Sequence, residues 1–233
     1  MKAAVFDIGA TLVTGPPVAP NKVIAEMLGG AEPSDVAAVI MTQPLFTPED
    51  AAAALESRFG PLSKSTLRAV AELWNSQANA AQEIEGAVDT VLALKKRGFK
   101  IGLVSDIWTP YYLSVRRAVS QIVESSDAVV LSFETGRRKP DLFNFNRVLE
   151  DLRVEPSEAV MIGDTYQHDI LPAIELGMHT VWVLARPERE KEYIARVLNA
   201  DLPAPNFTVS HITQVLDLPL FCPEKVLGRE KLV

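Results

Sequence analysis

Short apolar runs at residues 3–8, 100–104, 127–131, 159–162 and 180–183 carry the strand signal in this chain. Each is brief and nearly continuous, the pattern of a strand buried on both faces. Segments of helical period lie between them. Residues 86–97 place Val88, Val91, Leu92 and Leu94 on one face, with Gly98 as the stop. Residues 142–152 and 170–176 behave likewise, the latter closed by Gly177, and the charged stretch 187–200 also reads as helical. Alternating strand and helix predict an α/β fold, a doubly wound parallel sheet with helices on both faces.

The pattern changes between residues 16 and 85. Alanine is abundant, β-branched runs are sparse, and 21–28, 33–40, 48–59 and 65–82 each read as a helix. Pro33 and Pro48 suit helix starts, Thr47 is a candidate cap, and Gly29-Gly30 and Gly60-Pro61 mark turns. The expected organisation is an α/β core over 1–15 and 86–217, an inserted all-helical cap over 16–85, and an unassigned tail over 218–233. With 48% hydrophobic and 23% charged residues, the composition is that of a globular domain. The net charge of -7 argues against binding nucleic acid. A single cysteine, Cys222, excludes an internal disulfide and a thiolate cluster. There is no basic-then-apolar leader, and no apolar run nears the ~20 residues that span a bilayer. The expectation is a cytoplasmic protein with neither nucleic-acid nor membrane partners.

Candidate chemistry sits at the ends of the apolar runs. Asp7 leaves the first run and enters a turn containing Gly9. A carboxylate so placed is a candidate nucleophile or metal ligand; the plain alternative is a helix N-cap. Ser105 follows the second run and precedes Asp106, where its hydroxyl could serve an anionic oxygen or cap a helix. Lys139 could neutralise a phosphoryl group, with Pro140 fixing its direction, although Arg137-Arg138-Lys139 also suits a solvated face. Asp164 and Asp169 follow the fourth run. In an open parallel sheet ligands bind at the C-terminal strand edge, so these groups can meet in one crevice. Two carboxylates without clustered His or Cys suit a hard cation, Mg²⁺ foremost. His168 reads as a surface helix residue, and Trp74, Trp108 and Tyr111 as core aromatics or pocket walls.

Taken in order, four segments resemble the haloacid dehalogenase-like hydrolase superfamily, most closely its phosphatase branch with a helical cap after the first motif. They are Val5-Phe6-Asp7-Ile8-Gly9-Ala10-Thr11-Leu12, Leu103-Val104-Ser105-Asp106, Glu134-Thr135-Gly136-Arg137-Arg138-Lys139-Pro140-Asp141, and Ile162-Gly163-Asp164-Thr165-Tyr166-Gln167-His168-Asp169-Ile170. The resemblance implies a Rossmann-like core and hydrolysis of a small phosphorylated substrate through an aspartyl-phosphate. Asp7, Ser105 and Lys139 would be catalytic; Thr11, Ser105, Asp106 and Lys139 would bind substrate. Mg²⁺ would be held by Asp7, the Gly9 carbonyl and Asp164, with Asp169 in support. Phosphatases of this family usually carry a second aspartate where this chain has Gly9, so the resemblance implies slow turnover. Two other readings stand beside it: a 2-haloacid dehalogenase, which Asp106 disfavours by repelling a substrate carboxylate, and a non-catalytic metabolite-binding protein on the same scaffold.

Overall fold

The computed structural model describes residues 1–221. Cys222 and the rest of the tail lie outside the described residues. The first apolar run forms β1 (Ala3–Phe6), fully buried as its continuous hydrophobicity requires. After it come β2 (Val13–Thr14), β3 (Gln82–Glu83), β4 (Lys100–Ser105), β5 (Ala128–Leu131), β6 (Ala159–Gly163), β7 (His179–Val183) and β8 (Phe207–Val209). Six of them make one parallel sheet in the order β5-β4-β1-β6-β7-β8. Strand β8, three residues long, carries too brief an apolar signal to be anticipated.

Period-two alternation divides the core between the two faces of the sheet. Ala4, Phe6, Ile101, Leu103, Val160 and Ile162 join Val91 and Leu94 of the helix Ala87–Lys96 on one side. Ala3, Val5 and Met161 join Phe145, Val148 and Leu152 of the helix Phe143–Leu152 on the other. Phe221, part of the expected unassigned tail, is buried in the first cluster and caps it. The chain winds outward from β1 in both directions, so the strand order reverses between β1 and β6. That reversal opens a crevice at the carboxyl ends of these two strands. Asp7 and Asp164 are the residues just past those ends.

Between β2 and β3 the chain builds α1 (Pro20–Met27), α2 (Pro33–Ile40), α3 (Pro48–Phe59) and α4 (Lys64–Gln77). Three begin with proline in the first turn, and Thr47 caps α3 in a reciprocal box with Asp50. They share a separate apolar cluster of Ile24, Val36, Ile40, Leu55, Val70 and Trp74, into which Trp108 inserts. The last helix stops at Gln77, short of the expected residue 82. Arg117 takes up the Ala78 carbonyl and the Asn79 side chain, each at 2.9 Å. The freed chain then pairs Gln82 with Thr14 and Glu83 with Val13. The inserted helices are thus joined to the sheet through one narrow antiparallel ribbon. Among the described residues no helix is long and apolar enough to cross a membrane.

Candidate active site

A cleft of about 730 Å³ opens at the reversal point, between the strand ends and the inserted helices. Asp7, Gly9, Ser105, Asp106, Lys139 and Asp164 all line it. The backbone N–H of Asp7 donates to the Ile162 carbonyl at 2.9 Å, so the β1–β6 ladder itself sets where this side chain emerges. Neither Asp7 nor Ser105 caps a helix. Ser105 closes β4, and its hydroxyl lies 3.5 Å from Asp7 Oδ1.

Lys139 is the centre of the arrangement. Its ammonium donates to Asp7 Oδ1 at 2.7 Å and to Asp169 Oδ1 at 2.6 Å, and it is only 5% exposed. This is a buried, directed cation and not part of a solvated basic face. The neighbouring Arg137 does face solvent, pairing with Asp141. The Lys139 backbone N–H donates to Asp106 Oδ1 at 3.0 Å, which anchors the turn beneath its side chain.

The segment after β6 delivers the other two acids. Tyr166–Ile170 is a turn of π-helix, a local widening frequent at functional sites. It turns Asp169 back under the strand end, where Oδ2 accepts from the Thr165 N–H at 3.0 Å and its hydroxyl at 2.8 Å. The fold tolerates this return because residue 163 is glycine. A Cβ there would lie 2.5 Å from the Asp169 side chain. Gly163→Ala is therefore expected to displace Asp169 and lower stability by about 1–3 kcal/mol, read as an earlier urea-unfolding midpoint. Asp164 Oδ2 is held by Arg186, and Trp182 Nε1 donates to the Asp164 carbonyl at 3.1 Å.

Oxygens of Asp7, Asp164 and Asp169 lie within 4.8 Å of one another. These three buried carboxylates face two cations, Lys139 and Arg186. Burial raises the Asp7 pKa despite the pull of Lys139, with Asp169 and Asp164 adding to the rise. Burial and the Asp169 charge raise Asp164, against Arg186. For Lys139 burial opposes the charge, but Asp169 and Asp7 outweigh it and the pKa rises. The cluster is short of positive charge. Asp7 Oδ2 and Asp164 Oδ1 accept no hydrogen bond among the described residues, whereas both Asp169 oxygens are engaged. Two free carboxylate oxygens, a charge deficit and no imidazole or thiolate among these donors fit a hard divalent cation such as Mg²⁺.

Two sequence expectations change. Thr11 does not line the cleft. The tight turn in which Leu12 and Val13 both donate to the Ile8 carbonyl buries it completely, and its hydroxyl has no partner among the described residues. His168 is not a surface residue: it is half-buried, lines the cleft, and has no partner for its Nδ1 among the described residues. Trp108 and Tyr111 line the cleft, whereas Trp74 stacks edge-on behind Trp108 at 5.4 Å. Sequence reasoning missed Arg186 and Arg189, which also line it. Their signal was position, since both follow the end of β7 at the same edge of the sheet.

Residues 43–183, more than half of the chain, match the haloacid dehalogenase-like hydrolase family. The chain belongs to that family. The matched span contains Ser105, Lys139, Asp164 and Asp169; Asp7 and Gly9 precede it and are joined to it by the sheet. A glyceraldehyde 3-phosphate phosphatase of Pyrococcus furiosus is 32% identical over 108 residues, covering 46% of this chain and 45% of that protein. The chain thus matches about half the length of this relative. A haloacid dehalogenase-family phosphatase from Thermococcus onnurineus shares the fold with a TM-score of 0.60 at 21% identity, over 93% of this chain and 97% of that one. A 2-haloacid dehalogenase from Pseudomonas syringae pv. Tomato aligns with a TM-score of 0.64 at 16% identity, over 93% and 97%. Enzymes named for two different reactions thus share this fold, and the choice between them falls to the side chains.

Proposed function

We propose that this chain is a Mg²⁺-dependent phosphatase of small phosphorylated metabolites that works through an aspartyl-phosphate on Asp7. The observation that carries the reading is the Lys139 ammonium, 2.7 Å from Asp7 and 2.6 Å from Asp169, at the floor of the cleft. A buried lysine held beside a candidate nucleophile has a clear use in neutralising a phosphoryl group. Asp106 lines the same cleft with its carboxylate held by Arg138 and the Lys139 N–H, so it does not discriminate between the two reactions. The phosphatase name of the Pyrococcus relative supports the phosphatase reading.

In the proposed reaction an Asp7 carboxylate oxygen attacks phosphorus and the bond from phosphorus to the leaving oxygen breaks. Water then attacks the aspartyl-phosphate, releasing phosphate and restoring Asp7. Lys139 and the Ser105 hydroxyl hold the phosphoryl oxygens and keep Asp7 oriented. A divalent cation held by Asp7, Asp164 and the Gly9 carbonyl would supply the remaining charge neutralisation. Asp169 holds Lys139 and the Thr165 turn in place. We assign residues 1–15 and 86–217 to the catalytic core, and 16–85 to a cap that closes the cleft and selects the substrate.

Gly9 cannot protonate the leaving group, so that proton comes from solvent and poor leaving groups react slowly. A Cβ at Gly9 would meet nothing within 4 Å, and the backbone there is not left-handed. Gly9→Asp is therefore expected to fit and to raise kcat for sugar phosphates by roughly 10²–10⁴. The gain should be smaller for p-nitrophenyl phosphate, whose leaving group needs no proton. Phosphate release from an ester panel, with and without Mg²⁺, tests both statements. No release by either protein from any ester would end the phosphatase reading.

A further inference from the structure

We propose that Arg186 is a resident counter-cation that competes with a divalent cation for Asp164. The inference rests on the metal-assisted reading above and concerns what that metal must displace. Lys139 serves Asp7 and Asp169, which among the described residues leaves the Asp164 side chain to Arg186. Asp164 is 6% exposed, whereas the Arg186 side chain is 34% exposed at the mouth of the cleft. The arginine reaches inward from the loop after β7, so it can withdraw while the carboxylate stays fixed.

A carboxylate has lone pairs enough for two partners. Arg186 could therefore orient Asp164 for a metal, as outer partners of metal ligands commonly do. Charge decides against this. Three carboxylates and two side-chain cations leave the cluster one negative charge. A dication added with Arg186 in place overshoots to a net positive site, with two like charges sharing one carboxylate. With Arg186 withdrawn, the same dication brings the cluster to neutrality, and like charges this close disfavour one another.

Withdrawal also gives Arg186 a new partner. It lines the cleft that the phosphate ester enters, and a guanidinium matches phosphate oxygens as well as it matches a carboxylate. An arriving anion therefore draws Arg186 off Asp164 and opens the cation position. Metal and anion bind cooperatively through this one arginine, which motif spacing does not single out.

The test is calorimetric titration of Mg²⁺ into wild type, Arg186→Met, Arg186→Gln and Arg186→Lys, each with and without inorganic phosphate. Without phosphate, the Met and Gln variants are expected to bind Mg²⁺ about tenfold tighter than wild type, and the Lys variant like wild type. Phosphate should tighten Mg²⁺ binding in wild type more than in the Met variant. The rise in melting temperature on adding Mg²⁺ should likewise be larger for Met than for wild type, a readout independent of turnover. Equal or weaker Mg²⁺ binding in both uncharged variants overturns the competition and makes Arg186 an orienting group, even with phosphatase activity intact. Absence of both Mg²⁺ binding and ester hydrolysis in wild type overturns the metal-assisted reading together with it.

Discussion

Asp7→Asn is expected to lower phosphate release by roughly 10⁴-fold or more, because the amide cannot attack phosphorus. The fold should survive the change. Asp7 sits at the end of a fully buried strand whose backbone ladder does not involve its side chain. The substitution removes one of three crowded acids, and Lys139 keeps Asp169 as its partner at 2.6 Å. A variant that melts near wild type but releases no phosphate from a good leaving group would place the chemistry on this carboxylate. Release within tenfold of wild type would move it elsewhere.

Lys139→Met is expected to cost both activity and stability. Methionine is close to lysine in size, so the charge is the main loss. Asp7 and Asp169 would then lie buried without their cation, a change that typically costs about 3–5 kcal/mol when one partner of a buried pair is removed. The sign with pH comes from the carboxylates. Asp7 is already raised by burial even beside Lys139, and removing the lysine raises it further. A carboxyl whose folded pKa exceeds its unfolded one favours the fold below the unfolded pKa. That advantage is lost as pH rises through the folded value. The variant should thus approach wild-type stability in mild acid and fall away toward neutral pH, read from urea midpoints across that range. Adding Asp169→Asn should recover part of the loss, since the double change removes a stranded acid. A midpoint unchanged at neutral pH would show that Lys139 does not hold the cluster together.

Much of this was legible in the chain because local and long-range signals agree. Residues 3–8, 100–104 and 159–162 are continuous apolar runs, and each ends on the polar group that the sheet then delivers to one edge. Asp7, Ser105 and Asp164 could be brought together on topology alone, since a doubly wound sheet gathers at one edge the residues just past its strand ends. Thr11 misled because motif order says nothing about which way a tight turn rolls its side chains. His168 misled because it reads as a surface helix residue, whereas it lies in the π-turn at Tyr166–Ile170 and lines the cleft. Arg186 carried only the signal of its place after the end of β7; its importance comes from meeting Asp164, twenty-two residues earlier, across two adjacent strands. The overlong fourth helix of the insert reflects the same limit. Its end is set by Arg117 and by pairing with Val13–Thr14, contacts from distant parts of the chain.

The ribbon formed by Val13–Thr14 and Gln82–Glu83 has one further consequence. The four inserted helices enter and leave the molecule side by side, and their apolar cluster is largely their own. A differently shaped module could be spliced at those four residues, provided that it also covers Trp108, which follows β4, packs into the insert's cluster and donates to Gln77 at 3.3 Å. If the insert is the substrate-selecting cap proposed above, ancestry and protein engineering alike could revise which compound this scaffold accepts without rewriting how the bond is broken.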